Sequence, residues 1–219
     1  MVMRAIIFML SLILVIACQG STSEKIVTSD EYAIYQLILD TVYCHESRYW
    51  GSSVSTEKPR FVVVWDSTSA GIHENVDQHM TPLVSSDPAE VRRRSATHFA
   101  NIVPEVDWMS LFESFDQVKR MHCPLVKSSF ARSDSIVLLS NQTASRIFAG
   151  GGWEKFYETF PGCNGHISFS RVGFSRTSTE ALAYYEHICA QLDGEGSLVV
   201  FKKIDGAWKL IKIIPGMKV

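Results

Sequence analysis

The segment His73-Glu74-Asn75-Val76-Asp77-Gln78-His79 brings two imidazoles and two carboxylates, all donors that hold divalent metals, into seven residues. A zinc-protease helix needs its second histidine four positions after the first, and Asp77 stands there instead. The segment has no apolar stripe to hold it on a helix, so it reads as a solvated loop. His73 and His79 remain metal candidates only if a distant ligand converges on them. Gly150-Gly151-Gly152 could offer backbone amides to an oxyanion, but no Gly-x-Ser-x-Gly elbow accompanies it, and a tight turn before a helix is the simpler reading. No phosphate loop of the Gly-Lys-Ser/Thr type occurs. Arg92-Arg93-Arg94 is the one dense basic run; successive residues on a helix point in different directions, which suits solvated ion pairs better than phosphate contact. Asn141-Gln142-Thr143 has the form of a glycosylation acceptor.

Ser170, Arg171, Glu186 and His187 fall in neighbouring apolar runs near the C-terminus. If those runs pair about a turn at 176–177, facing residues have numbers summing to about 353. His187 then lies four residues off register from Ser170, roughly 13 Å along the strand, which argues against a Ser–His pair. Arg171 faces apolar Leu182, and a charge placed in a sheet requires a partner. A structural ion pair is the first reading and anion binding the second.

The elements that must position these groups begin with an N-terminal apolar run. Of 219 residues 46% are hydrophobic and 20% charged, which excludes a disordered or collagen-like chain. Net charge is −2, so no basic excess points to nucleic acid. Mean hydropathy is slightly positive at +0.06, and residues 1–18 account for the excess. Arg4 precedes an apolar stretch from Ala5 to Ala17 broken only by Ser11, the layout of a signal peptide and too short to span a bilayer.

Val15-Ile16-Ala17-Cys18 resembles the lipobox of bacterial lipoproteins. The resemblance implies cleavage before Cys18, thioether lipidation of its sulfur, and acylation (palmitate or similar) of the new amino terminus. Several acyl chains on one residue suffice for stable anchoring. Gln19 rather than Asp follows, which by the sorting rule of such lipoproteins implies the outer membrane, facing the periplasm, in a double-membraned organism. An ordinary secretory signal, or an uncleaved anchor ending in cysteine, has the same outline. Loss of residues 1–17 removes Arg4 alone among charged groups and takes the net charge to −3, so the membrane contact is lipid-mediated and not polybasic. The expected organisation is a signal peptide (1–17), a lipidated cysteine with its tether (18–29) and one domain (30–219).

Within that domain, Ser29 or Asp30 can cap a helix through about residue 46, with Tyr32, Tyr35, Ile38, Leu39, Val42 and Tyr43 on one face. Residues 61–65 and 136–139 read as short buried strands. Asp87-Pro88-Ala89-Glu90 predicts a capping-box helix to about Asn101. Shorter helices are predicted near 107–117 and 153–160. The last sixty residues predict strands at 166–174, 180–189, 197–204 and 207–213, with turns at Asp193-Gly194-Glu195-Gly196 and Asp205-Gly206. N-terminal helices followed by a four-stranded antiparallel meander make an α+β fold.

Apart from Cys18, the cysteines are Cys44, Cys123, Cys163 and Cys189. The register sum brings Cys163 opposite Cys189 at the open end of the first hairpin, where a bridge would contribute about 3.5 kcal/mol by loop closure. Cys44 with Cys123 then follows by elimination; free buried thiols are the alternative.

Phe160-Pro161-Gly162, Ser170-Arg171-Val172-Gly173-Phe174, Ala181-Leu182-Ala183-Tyr184, Gly194-Glu195-Gly196 and Lys202-Lys203-Ile204-Asp205-Gly206-Ala207-Trp208 resemble a pattern in uncharacterised bacterial exported proteins. The closing hairpin is also similar to that of NTF2-like domains, which implies a curved sheet wrapped round a helix to form a pocket. The expected function is a lipid-anchored, non-enzymatic module of the cell envelope, binding a small ligand or another envelope protein and using no cofactor. The alternative is a periplasm-facing hydrolase or metal-assisted enzyme drawing on His73, His79, His166 and His187.

Overall fold

A computed structural model describes residues 26–43, 61–69, 87–191 and 193–218. Helix α1 (Ser29–Ile38) starts at Thr28, one residue before the expected caps. The Thr28 hydroxyl accepts the Glu31 amide at 3.3 Å and the Glu31 carboxylate accepts the Thr28 amide at 2.9 Å, a reciprocal box that only Thr28 can close with Glu31. One π-helical turn, Leu39–Tyr43, extends it. Helix α2 (Pro88–Ala100) begins as predicted, with the Asp87 side chain accepting the Ala89 amide at 2.9 Å. Glu90, expected to complete that box, turns instead to Arg93 and Arg94. Helix α3 (Trp108–Val118) is capped by Asp107 and buries Trp108, Leu111, Phe112 and Phe115.

Strands β1 (Val62–Trp65) and β2 (Ile136–Leu139) stand where expected, and Ser140 caps α4 (Asn141–Thr159) immediately after β2. The glycine triplet lies inside α4: Gly151 and Gly152 take φ of 156° and 62°, so the helix bends there. The C-terminal strands are β3 (His166–Phe169), β4 (Gly173–Phe174), β5 (Glu180–Ala190), β6 (Asp193–Ile204) and β7 (Ala207–Lys218).

The described strands form one seven-stranded sheet in the order β2-β1-β3-β5-β6-β7, with β4 also paired to β5. The meander is present, but the expected first strand is split in two at 170–172. Strands β1 and β2 extend the sheet in parallel, so the fold is a mixed sheet with helices between its strands, and not helices followed by a separate meander. Parallel pairing requires a crossover. From β2 to β3 α4 supplies it, which is why a helix falls between two strands that the sequence reads as unrelated.

Alternation divides the core. One face packs α1 against Val64, Ile167, Phe169, Ala183, Tyr185 and Phe201. The other packs α2 and α3 on Leu182, Tyr184 and Val200, and α4 on Val63, Trp65 and Leu139. The predicted turn at 193–196 is instead the start of β6, paired with β5 through Gly194 with Ile188 and Gly196 with Glu186. Gly196 serves packing: a Cβ there would meet the Tyr184 hydroxyl at 2.0 Å.

Candidate functional site

The first turn of α1, the segment 128–131 and the β6–β7 turn enclose a groove of about 870 Å³. Tyr32, Phe130 and Trp208 give it aromatic walls, Ala33 and Leu37 an aliphatic one, and Asp30 a carboxylate. Tyr32 and Phe130 meet edge-to-face at 5.1 Å, and the Tyr32 hydroxyl accepts the Val126 amide at 2.7 Å, fixing the far wall.

The hairpin supplies the near wall. Its register opposes Lys203 to Trp208, so both side chains stand on one face of the ribbon. The Lys203 ammonium lies 4.9 Å from the centre of the Trp208 ring and 3.1 Å from Asp30 Oδ2. Burial raises the Asp30 carboxyl, but Lys203 and the neighbouring Trp208 indole N–H outweigh it, so its pKa falls below the usual value. The indole nitrogen is shut off from solvent, and its N–H is directed to the Asp30 carboxylate without closing a well-formed hydrogen bond.

A buried ion pair fixes α1 in place beneath the groove. Arg171 donates from Nε to Glu31 Oε1 at 2.7 Å and from Nη2 to Oε2 at 3.1 Å. Its Nη1 reaches Cys123 Sγ at 2.8 Å and its Nη2 the Ile26 carbonyl at 3.4 Å. The two side chains are 9% and 1% exposed. Tyr35, stacked on Phe169 at 4.7 Å, donates its hydroxyl to the Ser170 carbonyl at 2.9 Å. Arg171 stands in the break between β3 and β4, and Gly173, not Arg171 as expected, faces Leu182. Arg171 nevertheless forms a structural ion pair. Its partner lies 140 residues away in sequence.

Other expected sites are distributed differently. Cys18, Cys44, His73 and His79 lie outside the described residues. His166 and His187 do not converge: they pair with Ile188 and Ile167, and alternation puts them on opposite faces of the sheet. His166 accepts the Trp65 indole N–H at Nδ1, at 3.1 Å, and stacks on Trp153. The His187 Nε2 meets the Asn164 carbonyl, and burial holds its pKa below the ordinary value. The Ser170 hydroxyl donates to the Arg171 carbonyl and accepts the Tyr184 amide, in keeping with the register argument against a Ser–His pair. Arg92 pairs with Asp116, and Arg93 and Arg94 with Glu90, as a solvated helix face should. Among the described residues no group of three potential metal ligands assembles, and no helix is long and apolar enough to cross a membrane.

The expected Cys163–Cys189 bridge is not formed. The Cys123 sulfur accepts Arg171 Nη1, and Cys44, its expected partner, lies outside the described residues. Two features separate the first pair. The observed register of His166 with Ile188 runs one residue beyond the expected sum, so Cys163 falls outside the ladder and packs with the α4 cluster. The Cys189 thiol turns to the Asp193 carbonyl at 3.4 Å, and burial, with Asp193 nearby, pushes it up to about 12.

Asp30, Lys203 and Trp208 were not identified as site residues from sequence. The Lys-x-Asp-Gly-x-Trp turn places Lys203 and Trp208 together, but only the tertiary fold brings α1 against them. Compared with protein-family models, curated proteins and solved structures, the chain finds no significant match.

Proposed function

We propose that this protein is a lipid-anchored component of the bacterial cell envelope whose domain is a binding module, with the groove between α1 and the β6–β7 hairpin as its site. The groove carries the reading: its volume lies in the range of small-molecule sites, its walls are mostly apolar, and Ser29, Asp30, Gln36, Ser128 and Ser129 bring polar groups to them. The anchor would keep this site near the bilayer. Seven residues lie between Cys18 and Ile26, a reach of at most about 28 Å over eight Cα steps. Ile26 and Val126, each within two residues of a wall residue, are 70% and 53% exposed, which suits an apolar environment at the groove's rim.

Two experiments test the two halves. Metabolic labelling with radioactive palmitate should mark the wild type and leave Cys18→Ala unlabelled; equal labelling contradicts the anchor. Ala33 is an exposed wall residue, so Ala33→Trp fills the groove at little cost to folding. It should abolish saturable binding of the apolar probe decylpyrene to the full chain, and undiminished binding contradicts the site.

A further inference from the structure

We infer that the rim of the groove is a second membrane contact: Ile26, Val126 and Ile204 enter the interface of the bilayer that holds the anchor, so that the groove opens toward lipid. This rests on the reading of the protein as lipid-anchored and deepens it. Among the described residues five large apolar side chains are exposed, and these three, which include the two most exposed, gather at the groove. Each is tied to a wall residue. Ile26 precedes Val27, and its carbonyl accepts Arg171 Nη2 at 3.4 Å, so its place is fixed. Val126 gives its amide to the Tyr32 hydroxyl at 2.7 Å. Ile204 leads into the turn whose Gly206 and Ala207 line the groove. Aliphatic groups gathered at one edge and left in water mark a surface that meets an apolar partner. The other two, Ile102 and Met109, lie where α2 leads into α3, on the opposite side of the sheet.

The path of the chain identifies that partner as lipid. Ile26 belongs to the rim and is also the residue through which the domain connects to Cys18, at most about 28 Å away. A bilayer that holds Cys18 is therefore within reach of the rim. The tether supplies the encounter, so a contact too weak to retain a free protein is enough. Its strength follows the apolar area that the three side chains bury in the interface. Charge contributes little: the chain has no basic excess, and Lys203 at the groove is engaged by Asp30 at 3.1 Å. A zwitterionic bilayer therefore serves, and salt leaves the contact intact. The contact also orients the domain, with the start of α1 and the β6–β7 turn toward lipid and the α2–α3 side away from it.

Tryptophans placed on the rim read the contact. Ile26→Trp and Val126→Trp replace exposed side chains, and Met109→Trp puts the same probe on the α2–α3 side. Substitutions at exposed positions cost little, so the urea midpoints of all three should match the wild type. Each full-chain variant, lipidated and reconstituted in phosphatidylcholine vesicles, is compared with the wild type, which isolates the emission added to that of the five native tryptophans. Vesicles of dibrominated phosphatidylcholine should quench the added emission of Ile26→Trp and Val126→Trp and leave that of Met109→Trp unchanged, at low and high salt alike. Equal quenching of all three overturns the inference, because the domain then has no preferred face. Quenching of none, in protein whose Cys18 takes up palmitate, keeps the anchor but gives the rim to a protein partner, and overturns the inference as well. If Cys18 takes up no label, the anchored reading fails and the inference falls with it.

Discussion

Two tryptophans on opposite sides of the sheet meet their surroundings differently. Trp65 gives its indole N–H to His166, and Phe148, Trp153 and Phe156 close round that imidazole. Trp208 packs its ring on Phe174 and under Lys203, directs its N–H to the Asp30 carboxylate, and forms part of the wall of an open groove. The first arrangement is complete and has nothing to offer a ligand. The second puts an aromatic ring in the wall of an open groove, the pattern expected of a site and not of a core. The difference separates the two sides by role: the α4 side holds the sheet together, and the α1 side holds the groove.

The strongest way to break that division is at the ion pair under α1. Glu31→Ala leaves Arg171 charged and buried, and should cost about 3–5 kcal/mol, read as a lowered urea midpoint with unchanged slope. A loss below about 1 kcal/mol would show that α1 is held by packing alone. Next in size is the contrast between the tryptophans. Trp65→Phe removes the donor to His166 and should lose about 1–3 kcal/mol beyond its lost area. Trp208→Phe loses only the looser contact with Asp30 and should cost less. Equal losses would erase the comparison.

Acid should weaken the protein through His187. Its folded pKa lies below the ordinary 6.5, chiefly by burial, against the raising influence of the Asn164 carbonyl, Glu195 and Asp193. The unfolded chain then binds the proton first as pH falls. Stability is full above about pH 6.5 and falls below it by up to about 1.4 kcal/mol per pH unit. Urea midpoints between about pH 7.5 and about pH 5.5 should show that slope, reduced in His187→Gln; an unchanged slope places the acid sensitivity elsewhere. The smallest effect belongs to the groove's rim. Lys203→Ala breaks a partly exposed pair and should cost less than about 1 kcal/mol. Carboxyl titration by NMR should nevertheless show the Asp30 pKa rising, because Lys203 helps to lower it.

What was legible in the sequence was local. Asp87-Pro88 starts a helix because cap and φ constraint act within three residues, and Asp205-Gly206 makes its hairpin because a two-residue turn decides its own register. Arg171, read from sequence as a charge in a strand, required a partner, but it falls in the break between β3 and β4 and nothing near it in sequence points to Glu31. The glycines at 150–152 looked like a boundary, yet α4 begins nine residues earlier, at a helix start with little amphipathic pattern to reveal it. Strands β1 and β2 gave no sign of their parallel pairing, because its determinants lie about seventy residues apart. Gly194 and Gly196 signalled a turn, while the space they leave is filled by Tyr184 and Ile188 across the sheet. The groove needed three separate segments to come together, so only its hairpin wall was open to sequence reasoning.

The central claim is most directly tested by the indole N–H resonances of the five tryptophans in ¹⁵N–¹H spectra of the full chain, with Trp208 assigned by Trp208→Phe. On titration with decylpyrene the Trp208 signal should move, because its ring walls the groove, while those of Trp65 and Trp108, on the other face of the sheet, stay in place. A Trp208 signal that does not move at saturating probe would contradict the account.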